Sequence, residues 1–246
     1  MIVEVVVMTT KSYTVSYAEF VGTLIALAAA SVSPLAFTVA ATGYMSMHTL
    51  GLVAIAPAVF IWLAIAVISR LSGWRNLASA TRLSIFAGVA SVVAMEVVRM
   101  FGFRVFHGMP GSLPMLLGVL LTNHFMEGPN WWTDLVGWAD HFWNGIGFVF
   151  IYFIVFGRQR WWVAILYVLG IATIFMLSPV MNILGAGIFG QDFAPVKFPL
   201  TVYAAHLVYG IVFGYIGQRS ASTPVNIFHH IAVLIRRFNG IAKVSS

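Results

Sequence analysis

The sequence predicts an all-α integral membrane protein with six transmembrane helices, and three observations support this fold class. Of its 246 residues, 61% are hydrophobic and only 8% are charged, whereas a soluble domain carries roughly 25% charged residues. The apolar residues form runs that match the roughly 20 residues a helix needs to cross a bilayer. Basic residues are concentrated in alternate loops. This composition excludes a soluble enzyme and a disordered chain.

Six apolar segments are long enough to cross as helices, which satisfy their backbone hydrogen bonds internally. They cover residues 20–44, 49–69, 82–103, 141–157, 161–189 and 198–217. A seventh apolar run, residues 112–125, is too short to cross. We expect it to form a short re-entrant or interfacial helix in the outer loop between spans 3 and 4. Residues 1–7 have no cationic region before an apolar stretch, so we expect no cleaved signal peptide.

The basic loops predict an orientation with both termini inside the cell (N-in/C-in). Arg70, Arg75 and Arg82 lie between spans 2 and 3, and Arg158 and Arg160 lie between spans 4 and 5. Because short cytoplasmic loops are enriched in Lys and Arg, we expect a multi-pass protein of the cell inner (cytoplasmic) membrane. The chain then divides into an N-terminal segment with two spans (1–81), a four-helix membrane core (82–217) with an outer loop (104–139), and a cytoplasmic basic tail (218–246).

The tail after span 6 has an amphipathic helical pattern. Its apolar residues Ile227, Ile231, Leu234 and Phe238 recur at helical spacing beside basic residues. This pattern suits a helix that lies on an anionic inner leaflet. The alternative is a basic anchor that only fixes the orientation of the protein. Because the net charge of +6 is placed in loops that flank the spans, we expect the lipid bilayer, and not nucleic acid, as partner.

From residue 82 onward the chain carries four motifs that together resemble a known family. They are RLSIFAGVASVVAM in span 3, WADHFWNGIG at span 4, SPVMNILGAGIFG at the end of span 5 and AAHLVYGIVFGY in span 6. The pattern resembles the YagU-like bacterial inner-membrane proteins, four-helix proteins whose biochemical function is not established. The resemblance covers residues 82–217 and implies a helical membrane core without implying a reaction. It marks His141, Gly185, Gly187, Gly190, His206, Tyr209, Gly210 and Gly214.

Ionisable side chains inside the predicted spans mark a first candidate site, because a charge is costly in the bilayer. Glu96 and Arg99 lie one turn apart in span 3 and can pair, while His206 lies about 12 Å into span 6. The structural alternative is that Glu96 and Arg99 satisfy each other and His206 bonds a neighbouring carbonyl or tyrosine. The expected polar intramembrane site consists of Glu96, Arg99, His141, Asn144, His206 and Tyr209.

A second candidate site lies at the predicted outer mouth, where histidines and carboxylates suit a divalent metal such as zinc, iron or manganese. The candidate metal ligands are His124, Glu127, Asp140, His141 and His206. Haem is the second cofactor option, but residue counting places His141 near the surface and His206 about two turns deeper. That offset opposes ligation of one iron by both imidazoles. In the structural alternative, Asp140 is the N-terminal cap of span 4.

Small residues predict close helix contacts in the last two spans. Ser178 and Pro179 interrupt span 5, and the proline is expected to kink it. Glycines at small-xxx-small spacing in span 6 are typical of tightly packed membrane helices. The functional alternative is a discontinuous helix beside a binding site, as transporters use. The glycines expected to pack helices are Gly185, Gly187, Gly190, Gly210 and Gly214.

Two classes of function follow from these features. The first is a non-enzymatic membrane protein whose outward-facing polar site binds or passes a small solute, ion or proton. This class also includes a protein that serves as a membrane subunit of a larger complex or of a homo-oligomer. The alternative is a membrane-bound metalloenzyme or a haem-binding oxidoreductase subunit that uses His and carboxylate ligands. The absence of cysteine excludes disulfides, thiolate metal sites and iron–sulfur clusters.

Overall fold

The computed structural model describes residues 16–244, with side chains as far as Arg236. Within that range every regular element is helical. Residues 1–7, for which we expect no cleaved signal peptide, lie outside the described residues. A π-helical turn, Gly51–Ile55, joins the second helix (Met47–Leu50) to the third (Ala56–Leu71) as one continuous helix. The helices are α1 (Tyr17–Ala41), α2 (Met47–Leu50), α3 (Ala56–Leu71), α4 (Arg75–Arg104), α5 (Leu113–Leu121), α6 (Trp131–Phe156), α7 (Trp161–Leu177), α8 (Val180–Ile183), α9 (Lys197–Arg219) and α10 (Ile227–Val244).

Five helical stretches of the described residues are long and apolar enough to cross a membrane, as in a multi-pass membrane protein. Many of their large apolar side chains are exposed, which suits positions that face lipid. The number of six spans, the N-in/C-in orientation and the membrane position of α5 stay predictions. The five stretches are Tyr17–Ala41, Met47–Leu71, Arg75–Arg104, Trp131–Phe156 and Lys197–Arg219.

The predicted fifth span is shorter as a helix than its apolar pattern indicates. α7 has 17 residues and ends at Leu177, whereas the apolar run continues to Phe189. Ser178 is extended, with ψ at 160°, because the residue before a proline is sterically disfavoured in the helical region. The chain therefore continues as the short helix α8 and a loop.

The helix of the predicted fourth span begins ten residues earlier than expected. Asn130 caps α6: its Oδ1 accepts from the backbone N–H groups of Trp132 at 2.9 Å and Thr133 at 3.1 Å. The Thr133 hydroxyl oxygen accepts from the Asn130 N–H at 2.8 Å, which completes a capping box. Asp140 is therefore inside the helix, and its interpretation as the N-terminal cap is wrong because Asn130 occupies that position.

The helices α4, α6, α7 and α9 form a bundle, and α1 and α3 pack beside α4 and α6. Trp62 of α3 meets Trp143 of α6 edge to face, with 5.4 Å between ring centroids. In α1, Pro34 cannot donate a hydrogen bond to the Ala30 carbonyl. A Cβ at Gly147 of α6 would lie 2.8 Å from that carbonyl oxygen, so the glycine allows α6 to approach α1 closely.

The predicted glycine contacts divide into two groups. A Cβ at Gly210 would lie 2.7 Å from Val168 Cγ2, and one at Gly214 would lie 2.6 Å from the Trp161 carbonyl oxygen. The stripe on α9 therefore packs against α7. The other three glycines lie in the connection between α8 and α9, with φ between +61° and +76°. They shape turns, where φ is positive, and are Gly185, Gly187 and Gly190. One of them, Gly190, also allows close approach to α9, because a Cβ there would lie 2.6 Å from Phe198 Cβ.

The tail is fixed to the beginning of α4 by side-chain hydrogen bonds. Asn76 Nδ2 donates to the Val225 carbonyl at 3.0 Å, and the Val225 N–H donates to Asn76 Oδ1 at 2.7 Å. The same Nδ2 lies 2.9 Å from His230 Nε2. Glu19 Oε1 accepts from the N–H groups of Asn76 at 3.1 Å and Leu77 at 3.2 Å. Three distant parts of the chain therefore meet at one polar junction.

Candidate binding cavity

A cavity of about 310 Å³ lies among α1, α4, α6, α7 and α9. Its wall is mainly apolar and includes Phe37, Met95 and Val168, while Leu113 and Leu117 border it from α5. A mainly apolar wall with a few polar groups is typical of small-molecule sites. Five of the six residues expected to form the polar intramembrane site line this one cavity. They are Arg99, His141, Asn144, His206 and Tyr209.

Glu96, the sixth expected residue, connects α4 to α6 through a single oxygen. Its Oε1 accepts hydrogen bonds from Arg99 Nη1 at 3.0 Å and from His141 Nε2 at 2.8 Å. The side chains of Glu96, Arg99 and His141 are only 14%, 11% and 7% exposed. Charges this well buried require partners. Arg99 is the partner expected from the i, i+3 spacing, and His141 adds one from a second helix.

His206 and Tyr209 of α9 each bond a backbone carbonyl. His206 Nδ1 lies 2.8 Å from the Val202 oxygen, and the Tyr209 hydroxyl donates to the Gly145 oxygen at 2.5 Å. Because a carbonyl oxygen only accepts, His206 Nδ1 is the protonated nitrogen. In the neutral imidazole, Nε2 then keeps its lone pair and can accept a hydrogen bond from a molecule in the cavity.

His141 and His206 lie at similar distances along their helices. With α6 beginning at Trp131, His141 is about 15 Å from its start, and His206 is about 14 Å from the start of α9 at Lys197. The expected offset of two turns assumed that α6 begins at His141, whereas α6 begins ten residues earlier. Distance along a helix does not give depth in a membrane, so the offset stays a prediction, and His141 Nε2 is already bonded to Glu96.

A second polar cluster joins α1 to α6 beside the cavity. Ser33 donates to Asp140 Oδ1 at 2.6 Å. Asn144 Nδ2 lies 3.0 Å from each of Asp140 Oδ2, the Asp140 carbonyl oxygen and Ser33 Oγ. Asp140 is 6% exposed and Ser33 is 1% exposed. Of the ion pairs among the described residues, none includes Asp140, so neutral donors alone satisfy this carboxyl group.

The structure does not bring the five candidate metal ligands into one group. His124 Nε2 lies 3.6 Å from Glu127 Oε2 in the loop after α5, where the Glu127 side chain is 74% exposed. Asp140 is bonded to Ser33 and Asn144, and His141 is bonded to Glu96. Within the part of the chain that the structure describes, no group of three His, Asp or Glu side chains is arranged to hold a metal ion.

Sequence reasoning missed two residues with long-range partners, one beside the cavity and one at the polar junction with the tail. Ser33 orients Asp140, and Glu19, 5% exposed, bonds the first N–H groups of α4. Both partnerships join positions far apart in the chain, so local spacing cannot reveal them. The available signal was the polar character of each residue within an apolar helix, since buried polar groups require partners.

No family model, no curated protein and no solved structure matches this chain. The resemblance to the YagU-like proteins therefore stays a prediction.

Proposed function

We propose that this membrane protein binds a small solute inside its helix bundle, in the half of the bilayer that the predicted orientation assigns to the outside. The observation that carries the proposal is the convergence of Arg99, His141 and His206, from three helices, on one cavity. A volume of about 310 Å³ lies at the lower end of the roughly 300–1,000 Å³ that ligand pockets span.

The balance of charge in the wall favours binding of a solute over a fixed metal centre. Glu96 is already bonded to Arg99 and His141, so its carboxylate is neutralised within the protein. His206 Nε2 is then a hydrogen-bond acceptor in the cavity, and Arg99 uses one of its five N–H groups on Glu96. A solute with both donor and acceptor atoms would complement this wall.

The proposal is tested by identifying the compounds that copurify with the protein. Ala205 is fully buried and lines the cavity, so Ala205→Phe would fill the space that a solute needs. The wild type and this variant are purified in lipid nanodiscs and extracted with organic solvent, and the extracts are compared by mass spectrometry. We expect a compound present at about one per protein in the wild type and reduced at least tenfold in Ala205→Phe.

A matched control distinguishes the effect of filling the cavity from the effect of introducing a larger side chain elsewhere on the protein. Leu166 of α7 is 61% exposed and lies outside the cavity wall, so Leu166→Phe should keep the compound. Thermal unfolding of all three proteins verifies that Ala205→Phe folds, and the smaller change Ala205→Leu replaces it if it does not. Equal extracts from the wild type and a folded cavity-filling variant would refute the proposal.

A further inference from the structure

One border of the cavity faces the lipid phase. Leu35 of α1 and Ile174 of α7 both line the cavity, yet they are 62% and 69% exposed. α1 packs on α3 and α6 and α7 packs on α9, while the short helix α8 contacts both α1 and α7. Between α1 and α7 the cavity is therefore bordered by apolar side chains that a membrane would cover with acyl chains. A molecule dissolved in the bilayer would meet the cavity at this border.

A proline lies inside one helix at this border and directly after the end of the other. Pro34 lies inside α1, and Ser178, which precedes Pro179, ends α7. Pro34 and Ser178 themselves line the cavity. Proline positions are where membrane helices bend, so small movements of α1 and α7 there would widen the opening.

The polar part of the wall matches a carboxyl group. Arg99 bonds only Glu96 among the described residues, which leaves further guanidinium N–H donors. His206 donates through Nδ1 to Val202, which leaves Nε2 as an acceptor. A protonated carboxyl group has one acceptor oxygen for Arg99 and one O–H donor for His206 Nε2. An alcohol carries its donor and its acceptor lone pairs on one oxygen, so it reaches Arg99 and His206 together less well than the two oxygens of a carboxyl group. A cationic head would face the Arg99 guanidinium.

Building on the proposed function, we propose that the ligand is a single-chain amphiphile with a carboxyl head, which enters from the bilayer between α1 and α7. Its head lies at Arg99 and His206, and its chain lies along the apolar wall. A cavity at the lower end of the ligand-pocket range has room for one chain, not the two chains of a phospholipid. The apolar chain matches the apolar part of the cavity wall, and the acid head matches the polar part.

The test uses radiolabelled dodecanoic acid as the probe for the full-length protein in nanodiscs. Bound probe is measured by scintillation proximity, and unlabelled dodecanoic acid, dodecan-1-ol and dodecyltrimethylammonium compete for it. We expect the acid to compete at least tenfold better than the alcohol or the cation. His206→Phe should remove the preference of acid over alcohol while the protein stays folded. The smaller apolar change His206→Leu, which also removes the acceptor, is the second variant if His206→Phe does not fold.

A second experiment tests whether the probe enters the cavity between α1 and α7. Ile174→Trp should slow both association and dissociation of the probe several-fold, because it narrows the opening through which the probe enters and leaves. Leu166→Trp, also on an exposed position of α7, is the control and should leave the rate unchanged. Equal rates for both variants would overturn lateral access.

The outcomes distinguish this inference from the proposed function. If acid and alcohol compete equally and Ala205→Phe excludes both, the carboxyl assignment is wrong and binding in the cavity stands. If Ala205→Phe does not reduce binding of the probe, the amphiphile lies outside the cavity and the inference fails. In that case the extraction experiment still decides whether another solute occupies the cavity.

Discussion

Among single residues, Glu96 has the most demanding environment. One of its oxygens accepts from Arg99 and from His141 at the same time, and all three side chains are largely removed from solvent. Loss of one partner from a buried pair leaves an uncompensated charge, which costs about 3–5 kcal/mol in typical cases. The effects on stability of substituting the carboxylate and its partners should therefore not be additive.

Substitution of Arg99 tests that coupling. Arg99→Leu should lower the unfolding temperature in detergent more than the double variant Glu96→Gln/Arg99→Leu, because the double change also removes the buried carboxylate. Met100→Leu, at a position that is 57% exposed, is the control for a nearby change on the same helix. A double variant no more stable than Arg99→Leu would mean that the two charges are not coupled.

Residue type predicted part of the candidate site from the sequence alone. Glu96, Arg99 and His206 are ionisable residues in apolar runs, so the cost of burying charge identified them. Ser33 could not be found this way, because a serine inside a helix can also bond the carbonyl one turn before it on the same helix. Its bond to Asp140 spans 107 positions of the chain, and nothing periodic connects such positions.

At the scale of helices, the sequence predicted which parts of the chain are helical more accurately than it predicted the residues at which each helix begins and ends. The hydrophobic run of span 4 starts at His141 only if the polar and aromatic residues before it are assigned to a loop. Asn130 and Thr133 form the capping box that starts α6, and this Asn-x-x-Thr pattern was readable in advance. Hydropathy alone could not position it, because Trp131 and Trp132 suit a helix start and an interfacial loop equally well.

The contact between α7 and α9 can be tested with two glycines. Gly214→Ala would place a Cβ 2.6 Å from the Trp161 carbonyl oxygen and 2.8 Å from Ala164 Cβ, and backbone atoms cannot move aside easily. We expect a loss of about 1–3 kcal/mol in unfolding free energy, as for other overpacked contacts. Gly170→Ala is the matched control, since a Cβ there meets nothing within 4 Å. Equal stability of both variants in a denaturant titration would contradict close packing at Gly214.

At the scale of the whole molecule, the polar junction of Asn76 and His230 joins the tail to the bundle. Burial lowers the pKa of His230 from 6.5 to about 4, with the neighbouring His229 charge as a smaller cause. In the docked tail, His230 Nε2 lies 2.9 Å from Asn76 Nδ2, so that nitrogen accepts and must be unprotonated. Docking is therefore fully stable above pH 6.5 and loses stability as the pH falls from 6.5 toward 4.

A thiol introduced into the tail would measure this dependence, because the chain has no cysteine of its own. Leu234→Cys replaces a side chain that is 7% exposed, and Ile235→Cys replaces one that is 55% exposed. The ratio of their reaction rates with dithiodipyridine should rise by up to roughly tenfold per pH unit below 6.5. Adding His230→Gln should remove most of that rise. A ratio that stays constant between pH 7.5 and pH 5 would contradict the prediction.

The bond between Asn76 and Val225 joins positions 149 residues apart, and this separation sets an order of events during biosynthesis. A ribosome releases the start of α4 long before it releases the tail. Until α9 has been synthesised and the chain has turned back, the Asn76 amide has no access to Val225 or His230. Tail docking is therefore among the last steps of assembly, and a nascent or truncated chain differs from the finished protein at the beginning of α4. Quality control that reads exposed polar groups would distinguish the two at that point.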